Sequence, residues 1–251
     1  MMDSEKINST VCFLIERRCG DNHNRLPHEL IPTTSDEAFS TQMAIHKAMG
    51  DEVGGWKTGL PLGDKLIVAP IPSNKIHESP VCPARPEKGV CRIEPEIAFR
   101  IGENLPPRLE KYTEEEIKKS IVSAFLAIEM IENRYQGNEE ISHNENLADC
   151  LFNQGICLGP EIPVDQAISC AEVDIRLTQN ARTNIKGVHP NKDPLLPLFW
   201  LCNFLREQNV GLKTGDVVIT GSYAGVLEVE PNREFKLEFS GLGAMTHTLT
   251  S

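Results

Sequence analysis

The sequence is short of aromatic residues, at 6% with two Trp and three Tyr, and short of positive charge, with 25 Lys+Arg against 36 Asp+Glu and a formal net charge of −11. A cationic deficit of that size opposes any partner held through a general basic field, so no nucleic acid partner is expected. Long hydrophobic runs are also missing: the longest candidate, residues 195–202, falls well short of the roughly 18 apolar residues of a membrane span. No membrane partner is expected either. The first residues are acidic and polar where a signal peptide needs a basic segment followed by an apolar one, so export is not indicated. GxGxxG, internal repeats and low-complexity tracts are absent, which removes the common nucleotide-binding signatures and the repeat architectures. No CxxC or CxxH cluster occurs among Cys12, Cys19, Cys82, Cys91, Cys150, Cys157, Cys170 and Cys202, which excludes a zinc site of the usual spacing. Scattered through a chain this long, they are expected to be reduced core residues in a cytoplasmic protein.

What is present is an ordinary globular composition, 40% hydrophobic and 24% charged over 251 residues, enough for one large domain or a domain with a small appendage. Helical periodicity fills the first 50 residues, with Ile7, Val11, Leu14 and Ile15 on one face and Ser35 capping a second helix that ends at Met49 and Gly50. Pro70, Pro72, Pro80, Pro83 and Pro86 predict an irregular connection and a boundary near residue 85. Beyond it CRIEPEIAFRIG alternates as a strand, with Ile93, Pro95, Ile97 and Phe99 on one face and Glu94, Glu96, Ala98 and Arg100 on the other. Thr113 and Glu116 form a capping-box pattern opening a helix, with a change to a buried strand expected near Phe125. Residues 194–206 are apolar at helical spacing, and strands are expected over 217–220 and around Phe235, Leu237 and Phe239.

Three groups of residues offer chemistry. Glu94 and Glu96 share one face of a strand with a backbone separation of about 6.5 to 7 Å, so both carboxylates can converge on a hard divalent cation. The bland alternative is a solvated strand face. Glu129 shifts the balance, because it interrupts the apolar run FLAIEMI, where an unpaired charge costs several kcal/mol on burial; a third ligand position answers that demand. Lys57 lies in VGGWKTGL among Gly54, Gly55 and Gly59, which permit close approach and desolvation. Burial beside a cation is expected to lower its pKa toward the range useful for proton transfer, whereas a surface lysine would simply extend to water. Thr220, Gly221 and Ser222 follow an apolar strand, and such a turn binds a carboxylate or is an ordinary Gly/Ser turn. His23, His28, His46 and His189 lack metal-ligand spacing and receive no role.

The order GGWKTGL, IEPEIAF, AIEMIENR, LADCLFNQGICLGP, GLKTGDVVITGS and SGLGAM resembles the 2-keto-4-pentenoate hydratase and 4-oxalocrotonate decarboxylase family of the fumarylacetoacetate hydrolase superfamily, over nearly the whole chain. The resemblance implies an α+β fold: a helical N-terminal portion and Pro-rich connection (1–85), then a mixed, rolled β-sheet catalytic domain (86–251). It implies Mg2+ or Mn2+ bound by Glu94, Glu96 and Glu129, Lys57 as acid-base group, and Thr220, Gly221, Ser222 and Asp149 beside the substrate. It further implies a homo-oligomeric hydro-lyase that adds water to a 2-hydroxy-2,4-dienoate to give a 4-hydroxy-2-oxo acid, as in catabolism of aromatic compounds. Alternatives on the same scaffold are a decarboxylase, an acylpyruvate C–C hydrolase, and a non-catalytic binder of 2-oxo acids. Two departures stand out. The segment PLGDKLIVAPIPSNK offers no second proton-transfer group, and the family's Asp-Asn pair reads Asp149-Cys150 here.

Overall fold

The computed structural model describes residues 4–20, 24–135 and 140–251; His23 lies outside them. Two helices lead, α1 (Ser4–Cys19) and α2 (Ser35–Met49). The cap of α2 is Thr34, one residue before the expected Ser35: its side chain accepts from the Glu37 N–H, while Glu37 reaches back to the Thr33 N–H. Gly50, at φ 71°, closes the helix in the left-handed conformation that glycine adopts without strain.

Strands then begin at once: β1 (Val53–Leu62), β2 (Lys65–Pro72), β3 (Ile76–His77), β4 (Val81–Pro83) and β5 (Cys91–Ile101). The proline-rich stretch is therefore not irregular throughout. Pro70 and Pro72 lie on β2, a terminal strand of its sheet, where a missing N–H leaves no broken ladder on the open side. Strand structure that belongs to the larger sheet thus begins well before residue 85. Next come α3 (Glu114–Ser120) with the expected Thr113/Glu116 capping box, and β6 (Ile121–Ile131). The helix gives way at Ser120, not near Phe125, because the run from Ile121 pairs as a central strand between β5 and β7, with Val122 exposed at its start and both faces buried from Leu126 onward. The chain continues through α4 (His143–Ala148), β7 (Asn153–Ile162), α5 (Val164–Ile168), β8 (Glu172–Thr178), β9 (Arg182–Val188), α6 (Leu195–Glu207), β10 (Val217–Ile219), β11 (Leu227–Val229), β12 (Glu234–Phe239) and β13 (Gly243–Thr250).

The larger sheet runs β2-β1-β10-β5-β6-β7-β3, with β11 also on β5; it is mixed, since β1/β10 and β3/β7 are parallel. Residues 73–76 close it into a roll by lying against both β1 and β7. A Cβ on Gly54 would sit 2.7 Å from the Ser73 Cα, and one on Gly155 would sit 2.6 Å from the Lys75 carbonyl oxygen. Inside the roll, Ile71, Ala98, Ala127, Ile156, Leu158, Val217 and Ile219 form a dry filling. On the outside, Trp56, Ile97, Phe99, Leu126 and Ile128 pack with α6 and with the apolar face of a five-stranded sheet, β4-β13-β12-β8-β9. A separate apolar cluster joins α1 and α2 to α4. Packing brings Cys82 on β4 and Cys157 on β7 together, with Cα atoms 6.6 Å apart. Among the described residues, no helix is long and apolar enough to cross a membrane.

Candidate metal centre and catalytic lysine

The alternation along β5 places Ala98, Glu96 and Glu94 successively on the inner face of the roll, leading away from its apolar filling to the less buried Glu94. On β6, Ala127 and Glu129 follow the same path, and Glu94 stands directly opposite Glu129 in the antiparallel ladder. Lys57 enters from β1, in register with Ile219 of β10 and Ala69 of β2. Three carboxylates thereby converge, each offering an oxygen within 4.8 Å of the others. Glu129 is fully buried and Glu96 is 3% exposed.

Both oxygens of Glu129 are distinguished by their partners. Oε1 accepts from the Asn153 side chain at 2.8 Å and lies 2.7 Å from the Lys57 ammonium. Oε2 is buried with no hydrogen-bond partner among the described residues. An orphaned oxygen on one of three clustered carboxylates fits a hard divalent cation, which takes oxygen ligands and keeps some waters. The residues present therefore fit such an ion, with Glu94, Glu96 and Glu129 as its holders.

Electrostatics point the same way. Burial and the neighbouring Glu129 push Glu94 up to about 7, even though Lys57 opposes the shift. Burial, then Glu129 and Glu94, push Glu96 well above the ordinary carboxylate range against the pull of the Gly221 N–H. Such repulsion is relieved by a shared cation. At Lys57 burial lowers the pKa, but Glu129, Glu94 and Glu96 together outweigh burial and hold it above the usual lysine value, whereas the lowering expected from sequence supposed a cation alongside.

The turn after β10 is placed beside the same carboxylates. The Gly221 N–H donates to Glu96 Oε2 at 2.7 Å, so the carboxylate this turn holds belongs to the protein itself. Ser222 Oγ donates to the Gly225 carbonyl, and the Thr220 hydroxyl faces His189, buried behind the turn. Asp149 is not brought to the carboxylate cluster. It is buried at the end of α4, with Arg18 at 2.9 Å, Arg134 at 3.5 Å and Arg17 at 3.6 Å from its side-chain oxygens.

Sequence reasoning missed two contributors from one short segment. Cys150, Leu151 and Phe152 have φ of 62°, 51° and 62°, three successive non-glycine residues in the left-handed region. Each such residue is disfavoured by about 1–2 kcal/mol, and surrounding contacts must hold it. The Leu151 N–H bonds to the Asn146 carbonyl, and the Phe152 carbonyl accepts from the Glu132 N–H. The turn delivers the Leu151 carbonyl to Lys57 Nζ at 3.3 Å and Asn153 to Glu129. The signal available was LADCLFNQGICLGP itself, whose polar Asn153 opens an apolar strand.

Comparison with known proteins agrees with this architecture. Residues 47–250 match the family model described as fumarylacetoacetate (FAA) hydrolase C-terminal. A 2-keto-4-pentenoate hydratase of Burkholderia vietnamiensis (strain G4 / LMG 22486) is 24% identical over 161 residues, 63% of this chain and 60% of the relative. The aligned stretch thus spans less than two thirds of that relative's length. Among solved structures, 4-oxalocrotonate decarboxylase from Pseudomonas putida G7, complexed with magnesium and adipate, superposes with a TM-score of 0.78 at 16% identity, covering 99% of both chains. A fumarylacetoacetate hydrolase family protein from Yersinia pestis CO92 gives 0.54 at 18% identity, covering 79% of this chain and 93% of its own. At these identities the superpositions establish a common fold.

Proposed function

The chain belongs to the fumarylacetoacetate hydrolase family, and from that premise we propose that it is a lyase dependent on Mg2+ or Mn2+ that adds water to a 2-hydroxy-2,4-dienoate, giving a 4-hydroxy-2-oxo acid. The observation that carries the proposal is the convergence of Glu94, Glu96 and Glu129 with Lys57 bonded to the last of them. The 24% identical hydratase and the whole-chain likeness to a decarboxylase complexed with magnesium lend support.

A divalent cation bound there supplies Lewis acidity toward a 2-oxo carboxylate. The chain's own residues do the rest. Gly221 fixes one oxygen of Glu96 and Asn153 fixes one oxygen of Glu129, which leaves each carboxylate a second oxygen to offer the ion. Lys57, kept protonated by the three carboxylates, is the proton donor: its Nζ delivers a proton to the terminal carbon of the dienoate as the 2-hydroxyl releases its own proton to solvent, converting the enol to a conjugated 2-oxo-3-alkenoate, and the amine regains a proton from solvent. The oxygen of a water then bonds to C4 as hydroxyl while C3 takes up the proton that this water gives up, so one water is consumed overall. The apolar filling beneath the site excludes bulk solvent and strengthens each charge interaction.

The test is a panel of 2-hydroxy-2,4-dienoates with and without a second carboxylate, assayed with Mg2+ and Mn2+, following loss of the conjugated chromophore and product mass together. A hydrated product supports the reading. A product lighter by CO2 with no hydrated species replaces it with decarboxylation, and metal binding without turnover of any member replaces it with a binding role.

A further inference from the structure

His189 is completely buried in the loop after β9, in contact with the turn that holds Glu96, and the chemistry above leaves it without a task. Its backbone N–H donates to the Ala171 carbonyl, and its ring meets Tyr223 edge-on at 5.3 Å between centroids. Nδ1 accepts from the Asn191 N–H at 3.2 Å, which places the ring proton on Nε2. Nε2 then donates to the Thr220 carbonyl at 3.1 Å, with the Thr220 hydroxyl 3.4 Å away.

That carbonyl and the N–H of Gly221 belong to one peptide unit. On one side the unit accepts from His189; on the other it donates to Glu96 Oε2 at 2.7 Å. The peptide plane is thus held at both ends, and hydrogen bonds in series polarise one another. Gly221 makes the arrangement possible: at φ 137° it lies so close to the loop that a Cβ would sit 2.6 Å from Pro190 Cγ. Tyr223 secures the far side of the turn, its N–H donating to the Pro95 carbonyl next to Glu96.

We infer that His189 is a positioning residue for Glu96, acting through the Thr220–Gly221 peptide to aim that carboxylate at the metal. The inference rests on the metal reading of the carboxylate cluster and goes beyond it by assigning a residue that touches neither metal nor substrate. Removing the Nε2–H frees the peptide to rotate, and Glu96 loses its only fixed donor among the hydrogen bonds described.

The experiment is Mn2+ titration of the full-length protein, monitored by the magnetic resonance signal of free Mn2+, at a temperature where circular dichroism shows each variant folded. His189→Gln carries an amide N–H at the reach of Nε2 and is expected to bind Mn2+ within about threefold of wild type. His189→Leu, and His189→Asn, whose amide is too short, are expected to bind about 10-fold more weakly, the lower end of what loss of a ligand's supporting contact brings. The Asn and Gln pair decides the matter if the Leu variant does not fold. His247→Leu, at another buried ring far along the chain, is expected to lose stability with unchanged Mn2+ affinity. Wild-type affinity in His189→Asn, equal loss in the Gln and Asn variants, or equal loss in His247→Leu overturns the positioning role. Failure of the wild-type protein to bind Mn2+ at all overturns the metal reading, and this inference with it.

Discussion

The ammonium of Lys57 lies 2.7 Å from Oε1 of Glu129, inside a site where only 13% of the lysine side chain is exposed. Lys57 is the proposed proton carrier and Glu129 a metal-ligand candidate, so the ammonium and a bound cation would compete for one carboxylate. This yields a prediction that separates their roles. Lys57→Met is expected to lower kcat by roughly 100-fold or more, the scale of losing a general acid. Its Mn2+ affinity should equal or exceed that of wild type, because a cation competing for Glu129 has been removed. If Lys57 merely covers apolar surface with its stem, the Met variant keeps near-normal kcat, and paired kinetic and binding measurements will show it.

Metal addition should stabilise the fold. A ligand that binds only the native state contributes about 2.7 kcal/mol at 100 times its Kd, worth roughly 5–10 °C in Tm for a domain of this size. The chelated protein is therefore expected to melt lower than the protein in excess Mn2+ or Mg2+, by differential scanning fluorimetry. Glu129→Gln keeps the shape of the side chain while removing its charge and should abolish most of that difference. A full metal-induced shift in this variant would remove Glu129 from the ligand set.

The parts of this site legible in the sequence were those written by local pattern. A period of two puts Glu94 and Glu96 on one strand face, and a lone acid in FLAIEMI marks Glu129, so three carboxylates could be grouped without knowing how β5 and β6 pair. Lys57 stood out because its glycines announce close approach. Asn153 and His189 were not legible, since their meaning lies in contacts 24 and 31 residues away along the chain. The pull of the carboxylates on Lys57 was not legible for the same reason: burial is guessed from neighbours in sequence, but Glu129, Glu94 and Glu96 are its neighbours only in space. In the fold, the error over Pro70 and Pro72 came from treating proline as a strand breaker, when the outward-facing N–H positions of an edge strand are unpaired in any case.

His46, on α2, gives a pH prediction independent of the metal. Burial, then the nearby Arg18 guanidinium, lower its pKa from 6.5 to about 4. The unfolded chain therefore binds a proton that the folded chain refuses between those values. By linkage the associated stability is fully present above pH 6.5 and is lost as pH falls toward about 4. Urea unfolding midpoints of His46→Leu should fall less steeply across that window than those of wild type. An unchanged slope would mean that His46 is solvated enough to titrate normally.

Asp149 yields the last prediction, which sets a structural role against the substrate contact expected from resemblance. Its carboxylate is the counter-charge shared by Arg17 and Arg18 of α1 and by Arg134, and it is buried with all three close by. Arg134 also donates to the Asp149 and Asn153 carbonyls, bracketing the left-handed residues 150–152. Removing one member of a buried ionic cluster typically destabilises by about 3–5 kcal/mol, because the remaining charges lose their compensation. Asp149→Asn is thus expected to lower the unfolding free energy by about that amount and to lower kcat, as the Leu151 carbonyl and Asn153 lose their fixed places beside Lys57 and Glu129. KM should change little, since Asp149 faces arginines and not the open mouth of the site. A stable Asp149→Asn protein with a KM raised 10-fold or more would place this carboxylate against the substrate instead.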